Sequence, residues 1–252
     1  MEFRLIFDTI PEQFDQYRPR YTPELFAKLI GAAKVAPGSR VLELGPGTGQ
    51  ATEPVLRTGC EYCAIELGEQ LCRKMQQKFG DLSNFTIIHD DFITHDFGMQ
   101  QFDLVYSAAT IQWIPEEVAY PKCFSLLRPG GMLAMMYMRS DYRSPNPALY
   151  DKIQQVYAAH YKPDTPYRNG NFRYDHADDY GFEKGEKYEF RTQRILTAEE
   201  YVGYCGTHCD HMTIPEPDRS LFFDGLRKAV AEAGDRIVFQ DTFVLHLAKK
   251  PE

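Results

Sequence analysis

One short stretch constrains this chain more than any other: Val41-Leu42-Glu43-Leu44-Gly45-Pro46-Gly47-Thr48-Gly49-Gln50. A strand segment runs straight into a glycine-rich turn that opens a helix-length segment. Glycine permits positive φ and leaves no side chain between the main chain and a ligand, while the first turn of a helix offers unpaired amide donors. The surrounding pattern decides what fold such a turn belongs to. Short apolar runs at 40–44, 61–66, 84–88, 102–107 and 131–137 alternate with helix-length segments at 48–57, 69–79 and 116–127. That alternation predicts parallel strands joined by helices. Arg128-Pro129-Gly130-Gly131 stops the third helix and turns the chain into the fifth strand.

The flanks complete the layout. Residues 1–36 form a helical lead-in, with a helix over 23–33 preceded by the aromatic and basic cluster Phe14-Asp15-Gln16-Tyr17-Arg18-Pro19-Arg20-Tyr21. Residues 139–187 are rich in Tyr, Asp, Asn, Pro and Gly, with one helix over 148–160, and read as a lid or substrate insertion; a fixed surface excursion is the alternative. Residues 188–252 return to regular structure, with strands at 187–195 and 237–248 and helices at 198–209 and 218–233. A chain of 252 residues suits one domain, 1–252, built on a 37–138 core. The expected fold class is α/β: a doubly wound, Rossmann-like, seven-stranded and mostly parallel sheet with helices on both faces.

With 28 Lys+Arg against 36 Asp+Glu, the net charge of −8 opposes the broad basic surface that phosphate backbones require. No nucleic-acid partner is expected. The central apolar run, 132–138, is far shorter than the ~20 residues of a membrane-spanning helix, and the N-terminus lacks the pattern of a secretory signal. No membrane partner is expected, and cytoplasmic residence follows as the default. Six cysteines are too sparse for a disulfide framework. Cys60 and Cys63 have C-x-x-C spacing, but no helix start follows Cys60, so core packing explains them better. On a helix, Cys205, His208 and Cys209 would share a face, with His211 nearby; lacking a second, separated ligand pair, they predict no metal site.

The glycine turn fails the dinucleotide fingerprint in both registers, since the third small residue would be Gln50 or Thr52. E-x-G-x-G-x-G instead resembles the first motif of class I S-adenosylmethionine-dependent methyltransferases. Further elements follow in that family's order: Glu66 ending the second strand, Asp90-Asp91-Phe92 after the third, 102–114 as the fourth-strand motif, and Leu126-Leu127-Arg128-Pro129-Gly130-Gly131 before the fifth. Tyr17-Arg18-Pro19 and the tail are similar to the small-molecule branch called type 11.

The resemblance implies S-adenosylmethionine as cofactor, with S-adenosylhomocysteine as product, and methyl transfer to a small molecule. It implies that Glu43, Gly45, Gly47, Thr48 and Gly49 cradle the donor and that Glu66 and Leu67 hold its ribose. Asp91 and Phe92 would read the adenine, and Tyr17, Arg18, Ser107 and Gln112 would complete the donor site, with Arg18 or Arg139 alternatively pairing with an anionic acceptor. Tyr21, Trp113, Tyr137, Arg139 and His208 are the candidate acceptor contacts. Where many relatives carry a histidine before the tryptophan, this chain has Gln112, which with Trp113 can position a reactant but cannot accept a proton at neutral pH. The acceptor is therefore expected to arrive already nucleophilic. A donor-binding protein without turnover and a nicotinamide-dependent oxidoreductase are the rival classes.

Overall fold

The computed structural model describes residues 3–165 and 172–252. Seven strands, β1 (Arg40–Leu44), β2 (Glu61–Glu66), β3 (Phe85–His89), β4 (Phe102–Ala108), β5 (Leu127–Asp141), β6 (Glu186–Leu196) and β7 (Ile237–Lys249), lie in the order β3-β2-β1-β4-β5-β7-β6. The first five pair in parallel, and β7 runs antiparallel between β5 and β6. This is the seven-stranded, mostly parallel sheet that the strand-helix alternation predicts.

The helices are α1 (Phe3–Ile6), α2 (Pro11–Tyr17), α3 (Pro23–Ala33), α4 (Thr52–Leu56), α5 (Glu69–Phe79), α6 (Glu116–Leu126), α7 (Pro147–His160), α8 (Ala198–Cys205) and α9 (Asp218–Glu232). Because side chains alternate along a strand, β1 sends Val41 into one apolar layer, with Leu29 of α3, Val55 of α4 and Met75 of α5. It sends Leu42 and Leu44 into the opposite layer, against Tyr120 and Cys123 of α6. Burial on both faces explains why the central strands read as near-continuous apolar runs. Strand order reverses between β1 and β4, which opens a crevice at the carboxyl edge, the usual ligand position in such sheets.

Local chemistry moved several boundaries. Gly49 takes a φ of 88°, so the chain turns until Ala51 and the helix expected over 48–57 is only α4. The last helix before β5 ends at Leu126, and Leu127 already pairs with Phe102. The next pair is Leu104 with Met132, so residues 128–131 bulge out of the ladder; Gly130, at φ 74°, donates its N–H to the carbonyl of Lys250 at 3.1 Å. Helix α8 starts in a capping box: Thr197 Oγ1 accepts from the Glu200 amide, and the Glu200 carboxylate accepts from the Thr197 amide at 2.8 Å. It stops at Cys205, short of the expected 209, and the tighter turns that follow break the face Cys205, His208 and Cys209 were expected to share.

The segment after β5 packs in two places. Helix α7 joins α8 and α9 around Ile153, Phe222, Leu226 and Phe239. Farther on, Phe172 and Tyr180 stack on Tyr120 of α6, with ring centroids 5.2 Å and 4.9 Å away. Residues 166–171, part of the expected lid, lie outside the described residues.

Candidate functional site

The carboxyl ends of β1, β2, β4 and β5 open into a cavity of about 470 Å³, a size that suits a small ligand. Gly45 and Gly47 line it with φ near 60°. A Cβ at Gly45 would overlap the Thr110 side chain, and one at Gly47 would lie 3.1 Å from the Phe14 ring. The bare main chain is thus what the cavity needs at both positions. Gly49, expected in the same role, faces Phe79 and Met75 and shapes the turn from behind.

Glu66 lines the cavity at the end of β2, only 7% exposed. Its carboxylate accepts from the Gly47 amide at 2.9 Å and the Gly68 amide at 3.0 Å, so one side chain ties the glycine turn to the start of α5. Burial raises its pKa, and these amide bonds oppose the rise. Each oxygen keeps a further lone pair for a ligand hydroxyl. Leu67, Asp91 and Phe92 also line the cavity. Asp91 is held by Arg4 at 2.9 Å, which draws α1 across the end of β3.

Other expected donor contacts stand behind the wall. Glu43, 1% exposed, faces the layer of Tyr62 and Tyr106: it accepts from Thr52 Oγ1 at 2.6 Å and from the Tyr62 hydroxyl, which in turn meets that of Tyr106. Burial pushes its carboxyl up to about 7, and among the described residues its Oε1 has no partner. It braces the turn. Thr48 bonds Asp15 and Gln50, and Ser107 Oγ accepts from the Ile111 amide at 2.9 Å to shape the turn after β4; neither lines the cavity. Tyr17 packs its ring on Gly203 of α8 while its neighbour Arg18 points inward. The opposition arises where the helix ends: Tyr17 is the last residue of α2, and Arg18 leaves it with an extended backbone, φ −71° and ψ 137°.

On the acceptor side, Tyr21, Trp113, Tyr137 and His208 line the cavity as expected. Arg139 does not: it pairs with Glu189 of β6 at 2.7 Å. Gln112 lines the cavity, yet its amide is engaged, donating to the Ala109 carbonyl at 2.9 Å and accepting from the Tyr174 hydroxyl at 2.8 Å. His208 is held neutral, its pKa well below the ordinary value because of burial and then the adjacent Arg18 charge. The neighbouring His211 bonds the Cys205 carbonyl through Nδ1, and its Nε2 meets the Tyr157 hydroxyl.

The described part of 139–187 contributes no cavity wall. The cover comes from Arg4, Phe7, Phe14 and Arg18 at the N-terminus and from Tyr204, His208 and Asp210 after the start of α8. Among the described residues α7 is committed to its own helical layer, while α1 and α2 are tied down across the glycine-turn side of the cavity. Asp8 accepts from the Leu71 amide at 2.9 Å, and Asp15 pairs with Lys78 at 2.5 Å. Sequence reasoning missed Arg4, Phe7, Phe14, Tyr204 and Phe243. The aromatic and basic cluster around Tyr17 was a signal for Phe14; Phe243 had none, since it reads as an ordinary inward residue of a strand.

Comparison with known proteins places this geometry. Residues 42–135 match the methyltransferase domain family of type 11. Over 72 residues the chain is 42% identical to the ribosomal RNA small subunit methyltransferase A of Thermosynechococcus vestitus, a match covering 29% of this chain and 27% of that protein. The matched part thus spans about a quarter of the curated relative's length. The fold is similar to that of a Haemonchus contortus phosphoethanolamine N-methyltransferase 2 solved with phosphomonomethylethanolamine and S-adenosylhomocysteine. That likeness has a TM-score of 0.60 at 16% identity, covering 100% of this chain and 61% of that one. The YcgJ protein of Bacillus subtilis is similar with a TM-score of 0.59 at 11% identity, over 92% of this chain and 100% of that one.

Proposed function

From a chain that carries a type 11, S-adenosylmethionine-dependent methyltransferase domain in the class I fold, we propose an enzyme that moves the methyl group of S-adenosylmethionine to a small molecule. The observation that carries the reading is the pairing of Glu66 with the glycine turn. A buried carboxylate held by two main-chain amides stands beside glycines whose left-handed backbone leaves the cavity wall bare. Those residues fit a nucleoside: Glu66 has acceptor capacity for a ribose diol, Gly45 and Gly47 admit close approach, and Phe92 and Leu67 supply apolar wall.

Bound there, the donor supplies a methyl group activated on a positively charged sulfur. The chain's own residues position and enclose. Trp113 packs edge-on against Phe7 at 5.8 Å, so the N-terminal cover and the turn after β4 close one wall together. Holding acceptor and donor in line and excluding water supply much of the acceleration that displacement at a methyl carbon needs. With Gln112 engaged and His208 of lowered basicity, no dedicated base is assigned, and the acceptor arrives as a nucleophile. A small acceptor is supported by the walls on both sides of the cavity and by the net charge of −8.

Two measurements test the reading. Calorimetric titration should show S-adenosylhomocysteine binding and no NAD binding. Incubation with methyl-labelled donor should then label a member of a metabolite panel but not ribosomal RNA; labelled RNA alone would reject the small-molecule assignment, and donor binding with no transfer to either would favour a binding protein.

A further inference from the structure

On the β5 side the cavity is walled by Tyr21, Tyr137, Tyr204 and Phe243, and one guanidinium, that of Arg18, stands among them. Arg18 is fixed there: Nη2 donates to the Thr207 carbonyl, and its guanidinium carbon lies 5.0 Å from the Phe14 ring centroid and 5.6 Å from that of Phe7. Among the described residues its buried Nε has no partner and no carboxylate pairs with the group. Arginine keeps its charge in such surroundings, and the buried, idle Nε donor of this half-buried guanidinium favours a ligand that brings an anionic acceptor. Asp210, an acid in the same wall, uses its oxygens on the Tyr161 hydroxyl at 2.7 Å and the His211 amide at 3.0 Å.

The position of Arg18 indicates which reactant that charge belongs to. Thr207 comes from the turn after α8, and the aromatic walls beside it from α8 and the β5–β7 side: the Tyr21 ring lies 5.0 Å from that of Phe243, whose backbone pairs with Met138. The glycine turn reaches Arg18 through the intervening Phe14 ring. Resting on the methyl-transfer reading, we propose that Arg18 binds the carboxylate of the methyl acceptor, so that the acceptors are small acids with a flat apolar body. Neutral His208 adds no competing cation, and the aromatic walls take the body of the molecule.

The test uses the full chain saturated with S-adenosylhomocysteine and titrated with benzoate, phenylacetate, cinnamate and 4-hydroxybenzoate, each beside its primary amide. At least one acid should bind about tenfold or more tightly than its amide, as a charge-assisted bond to arginine predicts. Arg18→Gln should erase that preference and Arg18→Lys should keep part of it, with thermal melting confirming that both variants fold. Equal binding of acids and amides by the unaltered protein, or a preference that survives Arg18→Gln, overturns the proposal. A third arm compares S-adenosylhomocysteine with 5′-methylthioadenosine, which lacks the amino-acid tail. If Arg18→Gln reduces the advantage of the former, the guanidinium serves the donor's carboxylate and the proposal fails. Failure of the unaltered protein to bind S-adenosylhomocysteine is a different result: it rejects the methyl-transfer reading, and this inference with it.

Discussion

The proposed donor half and the proposed acceptor half of the cavity are built in opposite ways. Gly45, Gly47, Glu66, Asp91 and Phe92 stand at the ends of neighbouring strands, in chain order, on a sheet buried on both faces. Arg18, Tyr204, His208 and Phe243 come from three places separated by up to 225 positions, the interval from 18 to 243, and meet only because helices fold back over the sheet edge. The first half offers a ligand main-chain geometry and one carboxylate; the second offers side chains alone. Backbone recognition demands particular residue types at fixed spacing, whereas a side-chain wall can be assembled from many combinations.

The contrast can be broken experimentally. The largest effect is expected at Gly45. Gly45→Val imposes left-handed strain of about 1–3 kcal/mol and also displaces Thr110, so the Kd for S-adenosylhomocysteine should rise by ~100-fold or more, measured by calorimetry on folded protein. Retained affinity would mean that the donor half does not depend on bare backbone. Glu66→Ala comes next. Loss of a charge-assisted acceptor is worth about 1.5–3 kcal/mol, which is roughly tenfold to a hundredfold in affinity; an unchanged Kd would falsify the ribose assignment.

Glu43 sharpens the comparison through pH, because it braces the donor half from behind. Its folded pKa of about 7 lies above the ordinary carboxylate value, owing first to burial. The folded state therefore holds the proton longer than the unfolded chain, and stability must fall as pH rises from the ordinary glutamate range through about 7. The fall is expected to be up to about 3 kcal/mol. Glu43→Gln should flatten that part of the profile in denaturant titrations; an identical slope would assign the dependence to other groups. Arg4→Ala should do least. Its ion pair with Asp91 is partly exposed, with side chains 24% and 22% accessible, so loss of about 0.2–1 kcal/mol and less than roughly a fivefold change in S-adenosylhomocysteine affinity are expected. A larger change would show that the donor half depends on its N-terminal cover.

Much of the donor half was legible. Strand-length apolar runs located β1 and β2 to the residue, and the helices over 23–33 and 69–79 matched α3 and α5. Pattern reading failed where a local turn overrode it, as at Gly49 and after Cys205, because periodicity does not register the residue at which a backbone leaves the helix. It also failed on direction. Thr48, Ser107 and Glu43 have the right chemistry in the right motif, yet the sheet turns their side chains away from the cavity. The segment at 139–187 was visible as an insertion, but its composition could not tell that α7 packs on α9 instead of covering the site.

By itself the sequence determined the strand-helix alternation, the glycine turn and the acid at the end of β2, because each depends on residue type at short spacing. Only the tertiary structure decided that Arg18 turns inward while Tyr17 packs on Gly203, that Phe243 joins the cavity wall, and that α1 and α2 cover the donor half. Those outcomes rest on contacts between residues far apart in the chain, where packing and burial, and no local preference, select among the conformations open to each segment.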